Sequence, residues 1–373
     1  MNVTYHMSVD YLPERVKSET VSISVIYTWI DTQGNWLNRG YVDELKEIAH
    51  DWRKLGLQMD APEAAVKLKI ELEFRWSENG LVQWRNPRLV ITNRAVSRKV
   101  KLATTYYMPE RGTADALAHN LCEILLRIDA AGQAGADLIC ISEAQCSRCT
   151  DFNDLFRDTP EVIPGHLSAA ISSKAKEYGT YIVFNLDERD GVCVYNTSLL
   201  FDRQGQIAGK YRKVHLPMAE AQLGFTPGND YPVFDTDFGR VGMLICWDQV
   251  FSEPARIMRL QGAEILCIST AGEAPIQTAA RAVDNGVYVV VAGTNGEQPS
   301  RIINPLGEIL CEFGRENTLG MSCVEIDLNE KFNRYWESVG PAYGEMRSLY
   351  IKERRPDTYK TFKYELKGDS HAY

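Results

Sequence analysis

The sequence predicts a layered α/β domain, residues 98–373, preceded by a small β-sandwich over residues 1–97. Three observations carry this. Up to residue 97, short segments alternate apolar and polar residues with a period of two, and the region holds five of the seven Trp (29, 36, 52, 76, 84). From Lys99 on, strand-like apolar runs alternate with helical stretches. Beyond residue 98 a single pattern occurs twice, AGADLICISEA (134–144) and QGAEILCISTA (261–271), each after a helical stretch.

In the N-terminal region, Val21–Thr28, Val66–Phe74, Gly80–Trp84 and Arg88–Thr92 read as strands, with one helix over Tyr41–Leu55. In the larger region, strands are expected at Val100–Tyr107, Asp137–Ser142, Tyr181–Leu186, Val192–Phe201, Gln206–Tyr211, Arg240–Cys246, Ile265–Ser269 and Val287–Gly293. Helices are expected at Asp115–Ala131, Leu167–Tyr178, Ser252–Gln261 and Ile276–Asn285. The two copies of the repeated pattern end differently, with Glu143 in one and Thr270 in the other. A carboxylate kept in one copy alone points to chemistry rather than to structure.

Bulk properties narrow the function. The 373 residues carry a formal net charge of −9, which argues against a nucleic-acid partner, and no basic run suggests an anionic membrane. No stretch approaches the ~20 apolar residues of a membrane helix, and the first residues lack a signal-peptide pattern. The nine Cys are odd in number, and several lie in apolar runs, unlike a secreted disulfide scaffold. A cytoplasmic, reduced protein is therefore expected, with no metal and no cofactor.

Cys246 ends an apolar strand and precedes a polar turn and a helix, a position where following N–H groups can face a developing oxyanion. The bland alternative is a buried strand-end thiol. A thiol of pKa near ~8.5 needs a base or a cation. Of the six His only His215 is a plausible partner, and it fits a pocket wall better than a Cys-His dyad. Glu143, at the end of a buried strand, is the better base, because partial desolvation raises a carboxyl toward a working pKa. Lys213 stands among aromatic and apolar neighbours before a Pro, with Lys210 and Arg212 as alternatives the sequence does not rank. Cys146-x-x-Cys149 lacks a second Cys/His pair for zinc and reads as loop thiols at the mouth of a site.

Taken together, the SEA after ADLIC, the YRKVHLP (211–217) and the GMLICWD (242–248) resemble the three signatures of the nitrilase superfamily of carbon–nitrogen hydrolases. GFTPGND (224–230) and ARAVDNGVYVV (280–290) agree, and the resemblance covers about residues 98–350. It implies an αββα four-layer sandwich, paired into homodimers or higher oligomers. It also implies Glu143 as general base, Lys213 as oxyanion stabiliser with the Trp247 N–H, Cys246 as nucleophile, and Glu220 as a second glutamate positioning an amide. The implied reaction is hydrolysis of a small amide or N-carbamoyl compound through a thioester; nitrile cleavage and an inactive binding protein are the alternatives. Residues 1–97 fall outside that family pattern. Ala61–Ala65 and LVQWRNPRLV loosely resemble jelly-roll, carbohydrate-binding-like modules, which would make the Trp a sugar platform if they do not pack the core.

Overall fold

The computed structural model describes residues 3–48, 50–146, 160–294, 299–313, 320–333 and 344–359. The chain forms two compact units, Met1–Val96 with Lys331–Tyr373, and Ser97–Glu330. The sequence pattern alone puts everything after residue 97 in one domain; residues from Lys331 on group with the first unit instead. The reason is local. The helix Met346–Lys352 packs on the strand Trp36–Tyr41, Lys352 Nζ donates to the Ile23 carbonyl at 2.6 Å, and Ser348 bonds the half-buried Asp43.

The described residues of the first unit form seven strands: β1 Thr4–Glu14, β2 Ile23–Ile30, β3 Trp36–Tyr41, β4 Glu44–Glu47, β5 Arg53–Asp60, β6 Lys67–Phe74 and β7 Leu81–Thr92. They make two antiparallel sheets, ordered β4-β5-β1-β7 and β3-β2-β6. Val9, Leu55, Leu57 and Met59 of one sheet and Ile23, Val25 and Trp29 of the other share one apolar cluster.

The helix expected at Tyr41–Leu55 is not there; the segment is a β-hairpin, β4 to β5. His50 and Asp51 both take left-handed φ (60° and 61°), and Ile48 N–H bonds the Trp52 carbonyl across the turn. Pairing with β1, Leu55 against Val9 and Leu57 against Met7, then outweighs the local helical spacing. Gly80–Trp84 and Arg88–Thr92 merge into the single strand β7, and β1 is an element the sequence pattern does not announce. Of the five Trp up to residue 97, only Trp29 belongs to the fully buried core, while Trp84 packs against Tyr11. Trp36, Trp52 and Trp76 each carry a guanidinium over one face, from Arg39, Arg85 and Arg75 at 4.8, 3.7 and 4.4 Å.

The second unit holds β8 Lys99–Thr105, β9 Leu138–Cys140, β10 Tyr181–Asp190, β11 Cys193–Phe201, β12 Ile207–Arg212, β13 Val233–Asp235 and β14 Arg240–Ile245. It continues with β15 Ile265–Ser269, β16 Tyr288–Ala292, β17 Ser300–Ile303, β18 Ile309–Phe313 and β19 Met321–Asp327. These form two mixed six-stranded sheets, β12-β11-β10-β9-β8-β19 and β13-β14-β15-β16-β17-β18. Their centres, β8-β9-β10 and β14-β15-β16, are parallel.

Alternation along each central strand divides its residues between two layers. Ala103, Ile139, Ile182 and Phe184 face the helices Ala116–Gln133 and His166–Tyr178 through Ile124, Ile128 and Ile171. The other face meets the second sheet, where Thr104 Oγ1 donates to the Val291 carbonyl. The second sheet has its own helices, Ser252–Leu260 and Pro275–Asn285, the latter packed on β16. No helix among the described residues is long and apolar enough to cross a membrane.

The repeated pattern maps onto this architecture. Its copies are β9 and β15, the middle strands of the two parallel centres. Cys140 and Cys267, at matching positions, interact across the sheet–sheet interface. Ser269 Oγ donates to the Ile141 carbonyl and Ser142 Oγ to the Gly293 carbonyl, so each serine reaches into the opposite sheet. Glu143 and Thr270 follow these serines, which brings both to one edge of the paired sheets.

Candidate active site

Glu143, Lys213, Glu220 and Cys246 come together at that edge. Glu143 follows β9 in a turn where Ala144 takes φ 48°; Ala144 N–H donates to the Asn185 side chain at 2.8 Å. Asn185 in turn donates to Asn196 Oδ1 at 2.8 Å, and Asn196 Nδ2 donates to Glu143 Oε1 at 2.8 Å. The other carboxylate oxygen accepts the Ala271 N–H at 3.0 Å, from the loop after β15. Glu143 is thus buried, fixed in rotamer, and held from both sheets.

Lys213 follows β12 and is 1% exposed, with Nζ 3.1 Å from Glu143 Oε1 and 2.9 Å from Glu220 Oε2. Burial alone would lower its pKa; the carboxylates of Glu143 and Glu220, with Cys246 when it is ionised, outweigh that and hold it well above the usual lysine range. It is therefore a buried ammonium, and it separates two buried carboxylates. Of the three basic residues that the sequence leaves unranked, Lys210 and Arg212 are tied instead to Glu188.

Cys246 takes φ 44° at the end of β14 and opens a 3₁₀ turn, Cys246–Val250. A left-handed β-carbon-bearing residue is strained, and such strain persists only where its surroundings over-determine it. Asp248 is what fixes this turn. Fully buried, it accepts the Ile245 N–H at 3.1 Å, the Tyr211 hydroxyl at 2.7 Å and the His215 N–H at 2.9 Å. His215 Nδ1 lies 2.9 Å from the same carboxylate, and its ring stacks on Phe251 at 3.9 Å. His215 is thereby a wall residue clamped to Asp248, not a partner of the thiol. The Asp248 clamp also ties the strand that leads to Lys213 to the turn that carries Cys246.

Asp248→Ala leaves these donors facing an empty buried site, costing on the order of 2–5 kcal/mol of stability. It should also lower kcat more than it changes KM. Denaturant unfolding together with steady-state kinetics measures both, and a variant with wild-type stability and kcat would show the clamp to be idle.

The thiol of Cys246 is pushed up to about 11, first by burial and then by the charge of Glu143; Lys213 and a hydrogen bond with Thr270 pull the other way. The resting state is a neutral thiol hydrogen-bonded to a carboxylate, which can take its proton as it attacks. Trp247 follows it, half-exposed, at the start of the 3₁₀ turn, where N–H groups have no partner within the helix.

Asn185, Asn196 and Asp248 hold this cluster and its turn, and the sequence motifs do not single them out. The first two are detectable as amides at inward positions of apolar strands, where an unpaired polar group is costly. The loop thiols expected at the mouth are corrected for one member: Cys146 is fully buried in the cluster under the helices, and Cys149 lies outside the described residues.

Comparison with known proteins identifies the family. Over 283 residues the chain is 31% identical to an omega-amidase, NIT2-A, of Xenopus laevis, covering 69% of this chain and 99% of that protein. A probable nitrilase of Schizosaccharomyces pombe is 31% identical over 210 residues, 51% of this chain and 72% of the relative. Among solved structures, an amidase from Nesterenkonia sp. superposes with a TM-score of 0.57 at 22% identity, covering 70% of this chain and 96% of that one, a likeness of fold. A family model described as carbon-nitrogen hydrolase matches residues 102–331, which contain Glu143, Lys213, Glu220 and Cys246 and over half of the chain. The chain belongs to the carbon-nitrogen hydrolase family.

Proposed function

We propose that this chain hydrolyses the C–N bond of a small amide through a thioester on Cys246. The observation that carries the reading is the buried Glu143–Lys213–Glu220 cluster beside a strained, half-buried thiol. Glu143 accepts the Cys246 proton as sulfur attacks the carbonyl carbon. The oxygen becomes an oxyanion facing Lys213 Nζ and the Trp247 N–H. The C–N bond breaks as Glu143 passes the proton to nitrogen, so that ammonia or an amine leaves and a thioester remains. Water then loses a proton to Glu143 and adds to the thioester; collapse expels the thiolate, which regains the proton from Glu143.

Glu220 favours an amide over a nitrile in this scheme. A second carboxylate 2.9 Å from the lysine can accept a hydrogen bond from an amide NH₂, a donor that a nitrile lacks. The same donor is present in an N-carbamoyl group. In the αββα arrangement the resemblance implies, the two Asn and the two loop residues, Thr270 and Ala271, belong to the supporting wall.

The test is acid quenching of the wild-type chain during turnover of a set of primary amides, followed by intact-mass analysis. The expected result is an added acyl mass on the Cys246 peptide with at least one of them. Turnover with the acyl mass on another residue, or turnover with no adduct at any quench time, would overturn the thioester route.

A further inference from the structure

Among the described residues, strand β6 is the one long, unbroken edge of the first unit. In that unit the sheets end in β3, β6, β4 and β7. Three of these are blunted in the usual ways: β3 is bulged opposite β2, β4 is four residues long, and β7 carries Pro87 and a bulge opposite β1. By contrast, β6 runs eight residues in unbroken register with β2 and contains neither Pro nor Gly. No other strand among the described residues pairs with its free side.

Its sequence, KLKIELEF, is self-complementary when read antiparallel. With Ile70 opposite Ile70 of a second copy, Lys69 stands opposite Glu71, Lys67 opposite Glu73, and Leu68 opposite Leu72. The charges occupy one face of the strand and the aliphatic residues the other. Leu68 and Ile70 already pack on the shared apolar cluster, whereas Leu72 is 42% exposed and would gain a leucine neighbour. Offsetting this alignment by one residue would set charges against aliphatic side chains, so the pattern selects a single register.

We propose that β6 is an isologous docking edge, at which a second copy of this chain adds its own β6 to form a continuous six-stranded sheet across a two-fold axis. Lys and Glu cross-strand pairs fix register and partner, and the backbone ladder with the Leu68–Leu72 contacts supplies affinity.

Charge reversal tests it on the full chain. Lys69→Glu places a glutamate opposite each Glu71 of the dimer, and Glu71→Lys does the converse; each should weaken self-association by at least about tenfold. The double variant Lys69→Glu with Glu71→Lys restores opposite charges and should return to near the wild-type value. Sedimentation equilibrium reads the association, and hydrogen exchange of β6 amides should show protection that falls on dilution in the wild type. Equal association by the wild type and both single variants would overturn the proposal. So would protection of β6 that is independent of concentration, which would mean that a segment of the same chain occupies the edge, or failure of the double variant to recover.

Discussion

Cys246→Ala is expected to lower kcat by on the order of 10⁵-fold or more while leaving the fold unchanged. Such a loss follows because covalent catalysis is all-or-none at the nucleophile: Glu143 and Lys213 have nothing to activate once sulfur is gone. The fold should survive because Ala occupies the same backbone with less bulk. The turn itself is held by Asp248 through the Ile245 and His215 N–H groups and the Tyr211 hydroxyl, none of which involves the thiol. Alanine at φ 44° bears the same strain that cysteine does. Thermal unfolding within a few degrees of the wild type, with turnover at the background rate, is the expected pair of readings. Residual hydrolysis at a tenth of the wild-type rate would place the nucleophile elsewhere. A collapse in Tm would show instead that the thiol's hydrogen bonds to Glu143 and Thr270 hold the site together.

How much of this is legible in the sequence depends on where each signal lies. The central strands are legible because both their faces are buried, and runs such as ILCIS and YVVVA leave little else to form. Two members of the site are legible because they end such runs, Glu143 after LICIS and Cys246 after GMLI; Lys213 separates from Lys210 and Arg212 only when those two are seen tied to Glu188. What escapes is structure set by partners distant in sequence. Tyr41–Leu55 has helical spacing, yet β1, far upstream, claims Leu55 through Val9 and Leu57 through Met7 by pairing. The second unit's end at Glu330 depends on where the Met346–Lys352 helix finds its apolar and charged partners, Asp43 and the Ile23 carbonyl among them. Asp248 is hidden for a related reason. Next to a Cys-Trp pair an aspartate reads as a turn former, and its role emerges only when Tyr211 of β12 and His215 of the loop after it arrive.

Glu143→Gln should separate two properties of the site that usually move together. Glu143 raises the Cys246 pKa twice over, by its charge and by its hydrogen bond, on top of the effect of burial. With the thiol near 11, about one molecule in 10⁴ carries a thiolate at pH 7. Removing the carboxylate charge leaves Lys213 facing the sulfur with less opposition, so the thiolate population rises. Alkylation of Cys246 should therefore be faster in the variant, by severalfold across pH 7–9. The gain is smaller than the rise in thiolate because intrinsic nucleophilicity falls as the pKa falls. Turnover moves the opposite way. With no base to carry the proton from sulfur to the leaving nitrogen, kcat should drop by about 10²–10⁴-fold and the acylation burst should vanish. Thr270→Val is the control with the reverse sign, since it deletes a hydrogen bond that lowers the pKa; it should slow alkylation and spare the base. Rates of iodoacetamide labelling at Cys246 against pH, set beside burst kinetics on an amide, measure both directions. Slower alkylation in Glu143→Gln than in the wild type would mean that the carboxylate helps to ionise the resting thiol. A preserved burst would mean that the proton travels by another group.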